Sequence, residues 1–316
     1  MKNEINILFL GGAKRVSLAE RFISSGQSLG YEIKIFSYEL DRFVPISSLA
    51  EIIIGLKWND KKIYEHLLKT IKEKKIDIIL PFVDPATIIA AKLKTMSNNI
   101  FIPVSDLSTM EIFFDKYKSN KWFIHQNLNL PLPKDGEFPI IAKPIFGSAS
   151  KGLIIIRNKK EFKAFKNNDN INNYLIQRFI EGDEFTVDCY ISQNGEIISM
   201  IPRKRIEITG GEVTKAITVR DLKILNEVQR ILATGIFSGP INIQFIKDKI
   251  TGEIFIMEIN PRFGGGVPLT IQSGADFTMF MLREYLGLEI QPIFDWKENL
   301  VMARSFRETF IDATDN

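Results

Sequence analysis

The sequence predicts a chain of two architectures: an α/β region built on a parallel sheet, then a larger, mostly antiparallel α+β region. Through the first third, short apolar strands alternate with helical stretches, which is typical of parallel sheets with crossover helices. Beyond residues 104–115 the strands become longer and are joined by hairpin turns, one of them marked by Asn194 and Gly195. With 316 residues, 45% of them hydrophobic, the chain is long enough for more than one domain.

Apolar runs and helical periodicity define the elements of both regions. We predict a domain over residues 1–110 and a second over 111–316, the latter divided into subdomains 111–180 and 181–316. In the first domain the predicted elements are strands at 5–10, 32–38, 76–82 and 99–103 and helices at 16–29, 60–75 and 85–96. In the second they are strands at 139–146, 151–157, 173–180, 184–192, 196–201, 241–248 and 253–260 and a helix at 221–235.

The composition disfavours several classes of site. The chain carries 41 Lys+Arg against 38 Asp+Glu, and this charge of +3 suits a phosphate-bearing small ligand better than extended nucleic acid. A lone Cys189 excludes a disulfide framework and a multi-cysteine zinc site. With only His66 and His125, a histidine-rich metal site or a Ser-His-Asp hydrolase is disfavoured. No run reaches the roughly 20 apolar residues of a spanning helix, so we expect a cytoplasmic protein without membrane or nucleic-acid partners.

The stretch FIMEINPRFGGG, residues 255–266, places two oxygen-bearing side chains in an apolar strand. If Gln244 on the preceding strand lies opposite Glu258, alternation puts Gln244, Glu258 and Asn260 on one face. Three converging oxygen side chains suit Mg²⁺, which takes its remaining ligands from water and phosphates. Arg262 just downstream is a natural clamp for a phosphoryl group. The alternative is an amphipathic hairpin with one wet face. The face expected in the core consists of Ile243, Phe245, Met257 and Ile259.

A second feature is the stretch AKPIFGSASKG, residues 142–152. Lys143 ends an apolar strand, and the small residues that follow form a loop whose backbone N–H groups can cradle phosphate oxygens. Lys143 and Lys151 supply positive charge. The spacing does not match the phosphate loop GxxxxGK[ST], and no helix follows it. A hairpin turn that binds nothing is the alternative.

Three other stretches carry weaker signals. In QRFIEGDEFTVDCY, residues 177–190, the strand QRFI can present backbone groups to a flat base and Glu184 can bind ribose hydroxyls, although a solvated acidic turn is commoner. Arg203, Lys204 and Arg205 either grip an acidic substrate or form a charged loop. The N-terminal LFLGGAKR lacks G-x-G-x-x-G, which argues against a nicotinamide enzyme.

In this order, these features resemble the ATP-grasp superfamily of carboxylate–amine ligases, most closely the branch of the carbamoyl-phosphate synthase large subunit. The resemblance covers nearly the whole chain. It implies a Rossmann-like (pre-ATP-grasp) N-terminal domain and an α+β ATP-grasp fold whose two subdomains close on ATP. The cofactors implied are ATP and one or two Mg²⁺ ions, with Mn²⁺ as a substitute. In the reaction implied, a carboxylate attacks the γ-phosphate of MgATP, and an amine then displaces phosphate from the acyl phosphate.

The resemblance implies a role for each matching residue. Lys116 and Lys143 are similar to two nucleotide-binding lysines, and residues 147–152 are similar to the mobile lid over the phosphates. Glu184 matches the ribose-binding carboxylate, and Arg262 matches the arginine near the γ-phosphate and the acyl phosphate. The lid residues are Gly147, Ser148, Ser150 and Gly152, the adenine-reading hinge strand contains Gln177, Arg178 and Ile180, and the magnesium ligands are Gln244, Glu258 and Asn260.

The substrate side of the site is less defined. Where the synthase has a serine-rich segment after the arginine, this chain has three glycines at 264–266, which leaves the acceptor chemistry open. Asp84 and Asp188 are either amine contacts or structural residues. The candidates for substrate binding are Arg203, Arg205, Lys215 and the loop 263–268. Their positive charge suggests a substrate with an acidic group, such as an amino acid, a small peptide or a sugar acid. Arg203 and Lys215, together with Arg262, are the catalytic candidates.

Two alternatives to a ligase stay open: an ATP-grasp kinase that leaves the phosphate on its product, and a non-catalytic nucleotide-binding regulatory protein. Intact Lys143, Glu258, Asn260 and Arg262 argue against a decayed site. A stable phosphorylated product would indicate the kinase, and ADP with free phosphate the ligase. The expected partners are a small-molecule carboxylate and an amine, and a homodimer is compatible with the resemblance.

Overall fold

The computed structural model describes residues 3–97, 99–147, 152–168 and 171–313. Its first part is a four-stranded sheet with flanking helices, and all of its strand pairs are parallel. The strands are β1 (Glu4–Leu10), β2 (Glu32–Glu39), β3 (Ala50–Ile54) and β4 (Ile78–Pro81), hydrogen-bonded in the order β3-β2-β1-β4. The helices are α1 (Val16–Ser28), α2 (Ile63–Lys74) and α3 (Asp84–Met96), with a 3-10 turn at Pro45–Ser48.

This N-terminal sheet follows the predicted alternation, with two differences. Strand β3 was not predicted, because its five residues form a short edge strand that is only partly buried. The strand predicted at 99–103 is reduced to an isolated parallel bridge between Ile78 and Phe101. Strand β1 is buried along almost its whole length, as expected for a parallel strand covered on both faces.

The rest of the chain forms two antiparallel sheets with helices packed beside them. The first part contains α4 (Leu107–Phe114), α5 (Lys116–His125), β5 (Ile140–Pro144), β6 (Ile154–Ile156), α6 (Lys159–Asn168), a 3-10 turn (Ile171–Asn173) and β7 (Tyr174–Arg178). The second contains β8 (Gly182–Ile191), β9 (Ile197–Thr209), β10 (Glu212–Thr218), α7 (Leu222–Leu232), β11 (Gly239–Asp248), β12 (Ile254–Asn260), α8 (Val267–Gln272), α9 (Phe277–Tyr285) and β13 (Val301–Ala303). The sheet orders are β6-β5-β7 and β12-β11-β8-β9-β10-β13.

Helix α7 shows why the sequence places its elements where it does. Asp221 caps the helix, because its side chain accepts hydrogen bonds from the backbone N–H groups of Lys223 and Ile224. Ile224, Val228 and Ile231 recur at helical spacing and are buried against the six-stranded sheet. The predicted helix at 221–235 is therefore confirmed, with its end three residues earlier at Leu232.

The β11–β12 hairpin has the predicted register, with Gln244 opposite Glu258. A bulge follows, because Phe245 pairs with Ile256 rather than with Met257. Ile256 is therefore buried in the core, whereas Met257 lines the large cavity described below. The expectation that Met257 belongs to the core face is wrong, since a bulge leaves no trace in a pattern of alternating residues.

One continuous hydrophobic core joins the N-terminal sheet to the C-terminal helices. Helix α1 packs against α9. The ring of Phe82, just after β4, stacks on that of Phe263 with the centroids 5.7 Å apart.

The predicted division between residues 110 and 111 falls inside α4 and stays a prediction. No helix within the described ranges has the length and apolar character needed to cross a membrane.

Candidate functional site

A cavity of about 630 Å³ is lined by both antiparallel sheets and by the carboxyl end of β4. Its volume is in the range typical of small-molecule sites. The predicted residues that line it are Lys116, Lys143, Gly147, Gln177, Arg178, Ile180, Glu184, Arg203, Gln244, Glu258, Asn260 and Arg262. These residues come from widely separated parts of the sequence, so the fold brings together most of the set that the sequence indicated.

The three predicted metal ligands lie side by side at the end of the β11–β12 hairpin. The Asn260 side-chain amide donates to Glu258 Oε1 at 2.8 Å. Gln244 Oε1 accepts a hydrogen bond from Arg205 Nη1 at 3.3 Å. One carboxylate and two carboxamides are hard oxygen donors of the kind that Mg²⁺ takes. This set is incomplete for a six-coordinate ion, so phosphate oxygens or water must complete it.

Asn242 supports this cluster and was not singled out in the sequence. Its side-chain Nδ2 donates to the backbone oxygens of Asn260 at 3.3 Å and Arg262 at 3.2 Å, and its Oδ1 accepts from Asn260 Nδ2. It is almost fully buried. The available signal was its spacing, because Asn242 and Gln244 are two residues apart and share a face of β11.

The two predicted nucleotide lysines lie at one wall of the cavity. Asp115 caps α5 and thereby fixes Lys116 at the first turn, where its ammonium donates to the Gly147 carbonyl at 2.6 Å. Burial lowers the pKa of Lys143, Lys116 lowers it further, and Glu258 and Glu184 oppose the shift. Among the residues that the structure describes, Lys143 forms no ion pair with a carboxylate, so its desolvated ammonium is available to an anionic oxygen.

The lid loop is described only at its two ends. Ser148 and Ser150, together with Lys151, lie outside the described residues. Gly147 lines the cavity, whereas Gly152 does not. Gly152 has a φ of +74°, and a Cβ there would lie 3.0 Å from Pro144 Cγ, so glycine suits this position.

The predicted hinge strand presents unsatisfied polar atoms at the cavity. Gln177 is almost fully buried, and its Oε1 has no hydrogen-bond partner within the described part of the chain. The Arg178 guanidinium lies 5.2 Å from the ring centre of Phe255, and Ile180 packs beside Met257. Glu184 Oε2 accepts from Arg205 Nη1 at 2.9 Å, which holds the carboxylate at the cavity wall.

Arg262 is anchored to the N-terminal sheet. Its Nε donates to Asp84 Oδ1 at 2.7 Å, and its Nη1 donates to the Phe263 carbonyl at 3.3 Å. Asp84 is the first residue of α3 and lies three residues after the end of β4. The carboxylate therefore fixes the arginine through Oδ1, and the alternative role of Asp84 as an amine contact stays a prediction.

The arginines of β9 have different partners. Arg203 is buried and donates from Nε to Asp188 Oδ2 at 2.8 Å and from Nη2 to Asp188 Oδ1 at 3.2 Å. Thr270 donates to the same carboxylate at 2.6 Å. Asp188 is thus a buried structural partner of Arg203. Burial lowers the pKa of Arg205, which Glu184 partly offsets.

Lys215 is a predicted catalytic residue that does not line the cavity. The β9–β10 register is irregular around it, and it lies opposite Glu207 with the ammonium 3.4 Å from that carboxylate. Both side chains are about half exposed. An irregular register of this kind cannot be read from the sequence. The position of Lys215 in a surface ion pair gives no support to the catalytic role predicted for it.

Two further charged residues of the cavity were not predicted from the sequence. Arg15 follows Gly11 and Gly12 at the start of α1, and Glu212 begins β10. Arg15 Nη2 lies 3.7 Å from Glu212 Oε1. The double glycine indicated a strand-to-helix turn with a ligand contact nearby, but nothing local linked Arg15 to a hairpin about 200 residues away in the chain.

Comparison with known proteins identifies the architecture. The family model described as "ATP-grasp in the biosynthetic pathway with Ter operon" matches residues 170–306. A formate-dependent phosphoribosylglycinamide formyltransferase of Prochlorococcus marinus strain AS9601 is 26% identical over 91% of this chain and 77% of its own length. A carbamoyl phosphate synthase large chain of Clostridium beijerinckii is 26% identical over 50% of this chain and 16% of its own length.

A solved structure shows the same fold over nearly the whole chain. It is the biotin carboxylase domain of the Hydrogenobacter thermophilus 2-oxoglutarate carboxylase, in complex with MgADP, ADP and bicarbonate. The TM-score is 0.75 at 17% identity, and the match covers 94% of this chain and 73% of that one. The predicted fold class is confirmed, and so is the predicted resemblance to the ATP-grasp ligases.

Proposed function

We propose that the cavity is the active site of an ATP- and Mg²⁺-dependent ligase. In this reaction a carboxylate is activated as an acyl phosphate and attacked by an amine, with release of ADP and phosphate. The observation that carries the proposal is the convergence of Lys143, Glu258, Asn260 and Arg262 on one cavity. The matched formyltransferase and the MgADP-bound carboxylase domain support the same class of reaction.

The hinge end of the cavity fits a nucleotide base. The buried Gln177 Oε1 is an acceptor without a partner among the described residues, and an exocyclic amino group of a purine supplies the missing donor. Ile180 and Met257 form an apolar surface beside it that suits a flat ring. Glu184, held by Arg205, lies on the same wall and can accept from ribose hydroxyls.

The donor set at the hairpin fits Mg²⁺ held jointly with phosphate. The ion would be held by Gln244, Glu258 and Asn260. When bound, it would neutralise phosphate charge and polarise the phosphoryl group. Asn242 keeps Asn260 in place by bonding both its side chain and its backbone oxygen. The ligands are therefore positioned before nucleotide binds, which reduces the reorganisation that binding requires.

The cations of the cavity bind and orient the transferring group. Lys143 and Lys116 lie at the wall where the phosphates of a base-bound nucleotide would extend, and Arg262 lies beside the metal ligands. Phosphoryl transfer needs positioning and charge stabilisation rather than a protein nucleophile. Asp84 holds the Arg262 guanidinium in one orientation, so the charge is preorganised for the transition state.

The reaction class is tested by following the fate of the γ-phosphate. Full-length protein is given MgATP with pooled amino acids, short peptides and sugar acids, and ADP and free phosphate are measured together. A stimulating carboxylate labelled with oxygen-18 is expected to transfer one labelled oxygen to the released phosphate. The carboxylate oxygen that attacks the γ-phosphorus becomes the bridging oxygen of the acyl phosphate, and it leaves with the phosphate when the amine attacks the carbonyl carbon and the carbon–oxygen bond breaks. ADP with a stable phosphorylated product, and no free phosphate, would replace the ligase by a kinase.

Homodimer formation stays a prediction, which light scattering tests.

A further inference from the structure

A cluster of charged side chains at the glycine loop is not used by the nucleotide or the metal. It consists of Arg15, Arg203, Glu212 and Arg304 around the loop 264–266, and all except Arg304 line the cavity. Arg15 is the N-cap residue of α1 in the N-terminal part of the molecule. Arg203 and Glu212 lie on strands of the six-stranded sheet, and Arg304 directly follows its edge strand β13. The cluster therefore lies at the junction of the two parts of the molecule.

Two arginines of this cluster share one carboxylate. Arg304 Nη1 donates to Glu212 Oε2 at 2.9 Å, whereas Arg15 Nη2 lies 3.7 Å from the other oxygen. Burial lowers the pKa of Arg15, Arg262 and Arg304 lower it further, and Glu212 only partly offsets these effects. Within the described part of the chain, the local positive charge exceeds the negative charge. A desolvated charge of this kind is costly unless an anion compensates it.

Arg203 adds an unsatisfied donor to the same region. Its Nε and Nη2 are bound to Asp188, but its Nη1 is buried and has no hydrogen-bond partner within the described part of the chain. Asp188 is itself bound by Thr270. The guanidinium is thus held firmly on one edge while the other edge keeps a donor free for a ligand oxygen.

The glycine loop brings these two arginines close to each other. A Cβ on Gly266 would lie 2.3 Å from Arg203 Cζ, and a Cβ on Gly265 would lie 3.8 Å from Arg15 Nη1. Neighbouring residues of a chain are only about 3.8 Å apart. The two guanidinium groups therefore flank adjacent residues of one loop, and the Arg203 guanidinium occupies the space that a side chain at 266 would need.

We propose that the substrate of this cavity carries a second anionic group, a carboxylate or a phosphate, which is bound by Arg15 and by the free Nη1 of Arg203. This inference rests on the proposed function, in which Arg262 and the nucleotide phosphates take the reacting carboxylate. Glu212 is the positioning residue that holds Arg15 at the cavity, and Arg304 holds the Glu212 carboxylate. Arg15 thereby gives the cavity a preference for substrates with two anionic groups.

The test measures binding rather than turnover. Full-length protein loaded with MgADP is titrated by calorimetry with glutarate, 3-phosphoglycerate and butyrate, which carry two carboxylates, a carboxylate with a phosphate, and one carboxylate. We expect one or both dianions to bind at least about tenfold more tightly than butyrate, since charge-assisted bidentate hydrogen bonds are strong. The tighter of the two dianions identifies the second group as carboxylate or phosphate.

Variants of Arg15 connect this preference to the residue. Arg15→Gln is expected to reduce the preference for dianions over butyrate to about twofold or less, without changing the affinity for MgADP. Arg15→Lys keeps the charge and is expected to retain part of this preference. The matched control is Arg21→Gln on the same helix, whose Nη2 donates to Gln272 outside the cavity at 2.6 Å. A purely structural role for Arg15 would weaken all three ligands equally.

The outcomes separate this inference from the proposed function. Equal binding of dianions and butyrate by the wild-type protein overturns the second anionic group, and so does an unchanged preference in Arg15→Gln. Either result leaves the ligase intact as long as MgADP binds. If the protein does not bind MgADP at all, the proposed function itself fails.

Discussion

Arg262 and Asp84 form an ion pair that joins the six-stranded sheet to the N-terminal sheet, with Nη2 2.6 Å and Nε 2.7 Å from the same carboxylate oxygen. The two neighbouring aromatic rings, Phe82 and Phe263, stack directly beside it. Arg262 follows the metal ligands on β12, and Asp84 opens α3. The orientation of the phosphoryl-binding arginine therefore depends on contacts with the other part of the molecule.

Replacing Asp84 tests this dependence. Asp84→Asn keeps the size of the side chain but removes the charge that orients Arg262. We expect kcat for ADP release to fall about ten- to a hundredfold, since hydrogen bonds to charged groups are worth about 1.5–3 kcal/mol, while KM for ATP stays within about twofold. The control is Asp106→Asn, an exposed carboxylate 3.5 Å from Lys94. An unchanged kcat in Asp84→Asn would refute the positioning role.

The lowered pKa of Lys143 predicts a pH dependence of nucleotide binding. Burial holds this pKa below its ordinary value of 10.5, and only the charged ammonium attracts phosphate. Affinity for MgADP is therefore complete below the lowered pKa and declines as pH rises through it, in a window that opens below pH 10.5. Lys143→Arg keeps its proton and is expected to remove the decline.

Calorimetry of MgADP binding from about pH 7 to about pH 10 measures this effect. Lys134→Arg serves as the matched control, because Lys134 is an exposed lysine paired with Glu137. If the wild type and Lys143→Arg show the same alkaline profile, Lys143 does not hold the phosphates.

The glycine loop predicts a difference between two adjacent substitutions. Gly266→Ala would place a methyl group 2.3 Å from Arg203 Cζ, and the arginine cannot move away without breaking its buried pair with Asp188. We expect a loss of about 1–3 kcal/mol in the free energy of unfolding, measured by denaturant titration. Gly265→Ala meets its nearest atom, Glu212 Oε2, at 3.4 Å and is expected to stay within about 0.5 kcal/mol. Equal losses would show that the Arg203 contact is not the cause.

Glu184 predicts discrimination at the ribose. The wild-type protein is expected to prefer ATP to 2′- or 3′-deoxyATP, because a carboxylate held by Arg205 accepts from the ribose hydroxyls. Glu184→Gln weakens that acceptor, so the ratio of kcat/KM for ATP to kcat/KM for deoxyATP should fall towards one. Glu181→Gln, a neighbouring exposed carboxylate that pairs with Lys249, is the control. A ratio that does not change in Glu184→Gln would remove this residue from the ribose site.

Local sequence patterns were sufficient to predict how strands that are close in sequence pair with each other. The alternation of apolar runs indicated parallel strands in the first third, and the two strands flanking residues 249–253 gave the register of Gln244 with Glu258. Such pairs are constrained by a short turn and by burial of one face. The same reasoning located Lys143 and Arg262, because Lys143 lies near the end of β5 and Arg262 lies two residues after β12.

Features that depend on distant parts of the chain were not predictable in this way. Arg15 reaches the cavity only because α1 packs on α9, and Asn242 matters only through the backbone of the neighbouring strand. Lys215 and Met257 were misplaced because local irregularities in strand register change the direction of a side chain. These are consequences of tertiary packing, which one sequence records only indirectly.

The most direct test of the central claim is MgATP-dependent ADP release by the wild type and by Glu258→Gln, with the substrate pool and a Mg²⁺ titration. Gln keeps the shape of the side chain but removes the one carboxylate among the three proposed ligands. The account predicts substrate-stimulated ADP release in the wild type and a loss of at least about a hundredfold in the variant, partly restored by raising Mg²⁺. ADP release at the wild-type rate and with the wild-type Mg²⁺ dependence in Glu258→Gln would contradict it.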